Sequence, residues 1–190
     1  MANMKRVGFG QVEPNHLSAQ RTAQIYAQLP AAAAIDVLEN GQYVKYDYAN
    51  NEINFTGKGE WMMVFNEVKL YDEFWRESYK DFAMKKDNYT VGSDSISHNG
   101  VGPLKGQMVP RVIKINIGDI YTTNCLAVAN TDGKATVEME DLSVGDLLNV
   151  DTTGYLKKVS EGNGEGLTLQ VVKRYTLADG QEAVKVMRIA

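Results

Sequence analysis

The chain has 190 residues, 44% of them hydrophobic and 23% charged, with a net charge of −4 from 20 basic and 24 acidic side chains. This suits one or two globular domains with an ordinary core, and it excludes a nucleic-acid binder driven by overall charge. A single cysteine, Cys125, excludes an internal disulfide and fits a reducing compartment.

In chain order, residues 1–15 show no sustained period, and Gly8, Gly10 and Pro14 discourage a regular element. Val7, Phe9 and Val12 nevertheless make the stretch apolar. It is therefore expected to be an extended arm that docks, either on a partner chain or on its own domain. No apolar run follows Lys5 and Arg6, so no secretory leader is expected. No run approaches the roughly 20 apolar residues that span a bilayer.

Asn15 to Leu29 reads as a short helix. Asn15 supplies a cap, Leu17, Ile25, Tyr26 and Leu29 share a rough face, and Pro30 ends it. From Ile35 the pattern turns to strands. Asn40-Gly41, Asn50-Asn51 and Gly57-Lys58-Gly59 punctuate apolar runs ending in Trp61-Met-Met-Val-Phe65, which predicts a meander of at least three strands. Asn66 to Asp87 mixes charges with aromatics, including Tyr71, Phe74, Trp75, Tyr79 and Phe82, at spacings that suit a helix or a long aromatic loop. Residues 91–107 are rich in Gly, Ser and Asn and read as a long exposed loop.

Strands resume at Val109 to Ile117. Cys125 lies in an apolar strand-like run and is expected to be a buried core thiol. Two stretches look alike: Ile117-Gly-Asp-Ile and Val144-Gly-Asp-Leu each place an apolar residue, Gly and Asp before a strand. Asp119 and Asp146 are read as turn residues bonding local backbone, and the pair as a weak repeat. The C-terminal stretch alternates β-rich runs with the hairpin signals Asp151-Thr-Thr-Gly154 and Ala178-Asp-Gly180. Val184, Val186 and Ile189 alternate roughly with Lys185 and Arg188.

The expected fold is mainly β: antiparallel β-barrel or sandwich modules with an extended N-terminal arm and one short N-terminal helix. Three parts are expected: an arm and helix over 1–34, a β-rich domain over 35–135, and a small barrel-like module over 136–190.

Catalytic equipment is sparse. The histidines are His16 and His98, and neither sits in a nucleophile motif. No Cys pair, His-x-x-x-His or EF-hand spacing offers a metal site. Gly57-Lys-Gly59 and Gly162-Asn-Gly-Glu-Gly166 lack the strand-to-helix context of phosphate loops. The carboxylates Glu138, Glu140 and Asp141 are not singled out as a glycosidase pair by anything around them. No enzyme and no cofactor is expected.

Several stretches together carry a resemblance: the arm with Val7-Gly-Phe-Gly, Tyr26-Ala-Gln-Leu-Pro-Ala, Met63-Val-Phe-Asn-Glu-Val-Lys-Leu-Tyr-Asp, Tyr79-Lys-Asp-Phe-Ala-Met, Gly118-Asp-Ile-Tyr-Thr-Thr-Asn and the terminal β-module. Most of the chain resembles structural proteins of tailed-bacteriophage heads, above all the auxiliary cement or decoration proteins. The resemblance implies a non-enzymatic virion component, made in the host cytoplasm, that binds the major capsid protein and stabilises the head. Copies of the chain itself are a further partner, with no membrane and no direct nucleic-acid binding. Expected contact residues are Val7, Phe9, Val12, Leu17 and Tyr26, then Tyr71, Trp75 and Tyr79, each with intramolecular packing as its alternative. Other readings are a tail, portal-adaptor or head-fibre component, and a carbohydrate- or ligand-binding β-module using aromatics around Trp61–Trp75 and the 91–107 loop.

Overall fold

Asp151 and Gly154 turn the chain back on itself, because the Asp151 carboxylate accepts the Thr153 and Tyr155 N–H groups at 2.8 and 3.0 Å and Gly154 takes φ 84°. The flanking strands are β10 (Leu147–Val150) and β11 (Leu156–Val159), paired antiparallel. Gly180, at φ 82°, likewise helps join β12 (Leu169–Thr176) to β13 (Glu182–Arg188), the longest ladder of the fold. The computed structural model describes residues 8–22, 24–66, 83–86, 107–127, 142–161, 166–177 and 180–190.

These strands belong to a six-stranded antiparallel sheet, completed by β1 (Val12–His16) and β9 (Ile120–Thr123), in the order β1-β9-β13-β12-β10-β11. The sheet curls so that the chain leaving β9 reaches the edge strand β11. Leu126, just beyond β9, bridges Leu156 of β11 in parallel, and the Ala127 N–H donates to the Leu156 carbonyl at 2.5 Å.

A second antiparallel sheet runs β2 (Ile25–Tyr26), β8 (Val112–Ile113), β6 (Trp61–Val64), β4 (Tyr43–Asp47) and β5 (Glu52–Asn54). Asn51 makes the β4–β5 turn at φ 53°. β6 then passes β5 and pairs with the opposite edge of β4, so the expected meander resolves as β5-β4-β6. Asn40-Gly41 is a turn, with Gly41 at φ 90°, but it closes no hairpin. β3 (Val37–Glu39), which precedes it, pairs instead with β7 (Ala83–Lys85). Glycine is needed at 41 because a Cβ there would meet the Cys125 Cβ at 2.8 Å and the Thr123 Oγ1 at 2.9 Å.

The second sheet is buried on both faces, which explains the unbroken apolar run Trp61–Val64. One face sends Tyr43, Trp61, Met63 and Ile113 into the barrel core with Tyr121, Leu148, Leu169, Val184 and Val186. The other packs Val44, Tyr46, Met62 and Val112 against Leu38, Ile53 and Met84. Each aliphatic side chain fully buried in this way contributes about 1.5–3 kcal/mol. The first cluster also takes Leu17 and Ala19, so core packing runs continuously across the boundaries expected at 34/35 and 135/136. Cys125 is fully buried.

The helix expected over 15–29 is only α1 (Ser18–Thr22). Tertiary pairing overrides helix propensity on both sides: Val12–His16 is claimed by β9, and Ile25–Tyr26 by β8. The described part of the arm docks on its own fold. The Gly10 N–H donates to Glu39 Oε2 at 2.7 Å and the Gln11 N–H to Asn124 Oδ1 at 2.8 Å. Of the 91–107 loop only Gln107 lies among the described residues, and of the Asn66–Asp87 stretch only Asn66 and Ala83–Lys86.

Candidate interaction surface

The two apolar-Gly-Asp stretches form the same structure twice. In Asn116–Asp119 and Ser143–Asp146 the last N–H donates to the first carbonyl, at 3.0 and 3.1 Å, around glycines at φ 89° and 97°. These are type II turns, which need a glycine at the third position. The Asp carboxylate reaches back to the first N–H of its own turn, at 2.8 Å for Asn116 and 2.7 Å for Ser143. Each turn then clips onto a neighbouring strand by two backbone bonds. Gly118 N–H donates to the Arg188 carbonyl and Arg188 N–H to the Asp119 carbonyl; Gly145 and Asp146 make the same pair with Val171.

The second residue of such a turn points away from everything that holds the turn. Ile117 and Val144 occupy that position and are 70% and 67% exposed. Asp119 additionally accepts the Ser18 N–H and hydroxyl, both at 2.9 Å, and so fixes the start of α1. Asp146 faces Lys158 Nζ at 2.8 Å, and the Lys158 hydrogen bond followed by the Ser143 N–H holds its carboxyl below the usual carboxylate value.

Register extends this into a surface. Val159, Leu147, Gln170, Met187, Ile120 and His16 are successive cross-strand partners, one from each strand of the barrel sheet. Next to them along their strands, Leu148, Leu169, Val186 and Tyr121 are fully buried. Alternation along a strand therefore sends the row outward. Its members are half-buried except for exposed His16, and Val159, Leu147, Met187 and Ile120 are apolar. A local two-fold axis passes between Gln170 and Met187. It exchanges the Ile120–Met187 pair with the Leu147–Gln170 pair, and the Ile117 turn with the Val144 turn. The outer face thus carries an apolar row with one branched side chain projecting on either side of it.

The expected contact residues are dispersed. Leu17, at 4% exposure, packs in the barrel core, which is the intramolecular alternative given for it. Val12 is half-buried against the same core. Tyr26 packs edge-to-face on Tyr46 with ring centroids 5.9 Å apart. Phe9 is half-buried with Lys85 Nζ 4.9 Å from its ring centre. Val7, Tyr71, Trp75 and Tyr79 lie outside the described residues. The surface formed by Ile117, Val144, Leu147, Ile120 and Met187 is not among the contacts expected from the sequence. Its signal was the repeated apolar-Gly-Asp, in which the apolar residue rather than the Asp is presented to solvent.

Reactive chemistry is not gathered on any described surface. Among the described residues no group of three His, Cys, Asp or Glu side chains is placed to hold a metal ion. An open cleft of about 360 Å³ runs beside Pro30–Ala33 and Asn51–Glu52, and the Lys86 ammonium on its wall is bonded to the Ala33 carbonyl at 2.6 Å. No described helix is long and apolar enough to cross a membrane. Comparisons with protein-family models, curated proteins and solved structures give no match for this chain.

Proposed function

We propose that this chain is a non-enzymatic virion protein of the cement or decoration class, which binds the major capsid protein lattice of a tailed-phage head and stabilises it. The observation that carries the reading is the outward apolar row Val159-Leu147-Met187-Ile120 with Ile117 and Val144 projecting beside it. An outward row of apolar side chains, with only Gln170 set between Leu147 and Met187, favours a protein partner, because burying apolar surface is worth about 25 cal/mol per Å². A partner bound only by the mature lattice stabilises that lattice by linkage, and many copies add up across subunit junctions. The sequence resemblance points the same way.

A carbohydrate-binding module built on Trp61 is disfavoured. Trp61 is 6% exposed, and Lys45 Nζ sits 4.4 Å from its ring centre, so it offers no platform to a sugar.

The test is co-sedimentation of the purified chain with mature heads that lack it. Saturable binding at micromolar concentration, together with a raised head melting temperature, is expected. Absence of binding overturns the proposal and directs attention to tail or head-fibre assemblies.

A further inference from the structure

We infer that the partner surface that meets the barrel's outer face is an acidic protein surface, recognised by Lys157, Lys173 and Lys185 around the apolar row. The inference extends the docking reading above by naming the partner's chemistry.

The chain as a whole is acidic, at −4. This face runs against that balance. Lys173 and Lys185 are direct cross-strand partners, and both follow the outward parity of Met187. Like charges facing each other across a ladder are unfavourable, so an isolated barrel gains nothing from the arrangement. The Lys185 ammonium turns to the Tyr175 ring, 5.3 Å from its centre, and Lys173 stands exposed. Lys157 is exposed on β11, two residues from Val159. No ion pair within 4.0 Å joins any of these three lysines to a carboxylate of the described residues, whereas Lys158 faces Asp146 and Arg174 faces Glu182.

Two residues along a strand span about 7 Å. Lys157 therefore flanks the apolar row on one side and the Lys173–Lys185 pair flanks it on the other. An apolar centre with a charged rim is the anatomy of a protein interface. The rim's sign selects a partner carrying Asp and Glu, which would relieve the facing lysines. A nucleic acid offers phosphates for the rim but nothing to cover Leu147, Met187 and Ile120, so an acidic protein fits both components of the face.

The experiment uses the full chain and two immobilised probes at low salt, poly-L-glutamate and random-sequence duplex DNA. Retention on poly-L-glutamate is expected to exceed that on DNA, to fall with added NaCl, and to drop about tenfold or more in K173Q/K185Q. That variant should keep the wild-type circular dichroism spectrum. No retention on poly-L-glutamate, equal retention of the variant, or stronger retention on DNA each overturns the inference. Heads test the other proposal separately. Loss of head binding with poly-L-glutamate retention intact sinks the capsid reading alone, and the reverse pattern sinks the acidic partner alone.

Discussion

The Tyr43 hydroxyl, on β4 of the second sheet, meets the Tyr121 hydroxyl, on β9 of the barrel, at 2.5 Å, and both side chains are fully buried. Burial pushes both phenols above their ordinary value, so each stays neutral and the pair shares one hydrogen bond across the inter-sheet core. Removing one hydroxyl leaves the other without its partner. Tyr43→Phe is expected to cost about 1–3 kcal/mol, and Tyr43→Phe/Tyr121→Phe less than the sum of the two single changes. Urea denaturation of the four members of the cycle checks this. Strict additivity would show that the two hydroxyls do not act on each other.

A second link between the sheets is ionic. Glu60 accepts from Arg188 at 3.0 Å and from Lys114 at 2.7 Å, joining the chain before β6 to the end of β13. Burial pushes its carboxyl up, but the hydrogen bonds from Lys114 and Arg188 outweigh burial and hold it below its ordinary value of 4.5. A carboxyl with a lowered folded value contributes stability that is present above 4.5 and lost as pH falls through the folded value. Glu60 is 37% exposed, so screening limits the contribution to about 1 kcal/mol. Glu60→Gln should lower stability at pH 7 by that amount and flatten the acid limb below pH 4.5. Thermal melts from pH 3 to pH 7 read both effects. An acid limb as steep as in the wild type would place the titration elsewhere.

The glycines separate into two kinds. Gly154, at φ 84°, sits against β4: its carbonyl accepts the Tyr43 N–H at 2.7 Å, and a Cβ would meet the Phe55 ring at 2.8 Å and press on the Tyr43 carbonyl. Gly145, at φ 97°, has open space where a Cβ would be built. Gly145→Ala should cost about 1–2 kcal/mol for the left-handed backbone alone. Gly154→Ala should cost about 2–4 kcal/mol, because overpacking is added to the same strain. Equal costs in chemical denaturation would mean that the β10–β11 turn does not rest on β4.

What the sequence makes legible here is what short range determines. Asp151-Thr-Thr-Gly154 and Asn50-Asn51 each specify a turn from within a few residues, and both join antiparallel neighbours, as β12 and β13 on either side of the Ala178-Asp-Gly180 signal are also antiparallel neighbours. Partner choice is not local. Asn40-Gly41 carries hairpin chemistry, yet β3 finds β7 more than 40 residues away while β4 goes to β5 and β6. Asn15–Leu29 has helix formers, but its flanks gain ladder bonds with residues about 90 to 110 positions later. The candidate surface was hidden for the same reason. Leu147, Met187 and Ile120 share one row only once the register of three ladders is known, and no single strand's alternation reveals that.

Ile117 and Val144 connect that surface to its proposed role. Each is exposed, and each projects from a turn whose backbone bonds do not involve its side chain. Replacing either with serine is therefore expected to change folding stability by less than about 0.5 kcal/mol. At a bound apolar face each side chain is worth about 1–2 kcal/mol, so Ile117→Ser and Val144→Ser should each weaken head binding about tenfold. The two-fold relation between the turns makes the sharper prediction that the two single variants lose similar affinity. Ile117→Ser/Val144→Ser should then lose about a hundredfold, provided the two tips act independently. Co-sedimentation isotherms on mature heads, with melting temperatures recorded alongside, measure both quantities. Wild-type binding by the double variant would remove the turn tips from the interface. A large loss in one single variant and none in the other would show that only one of the two symmetric turns meets the lattice.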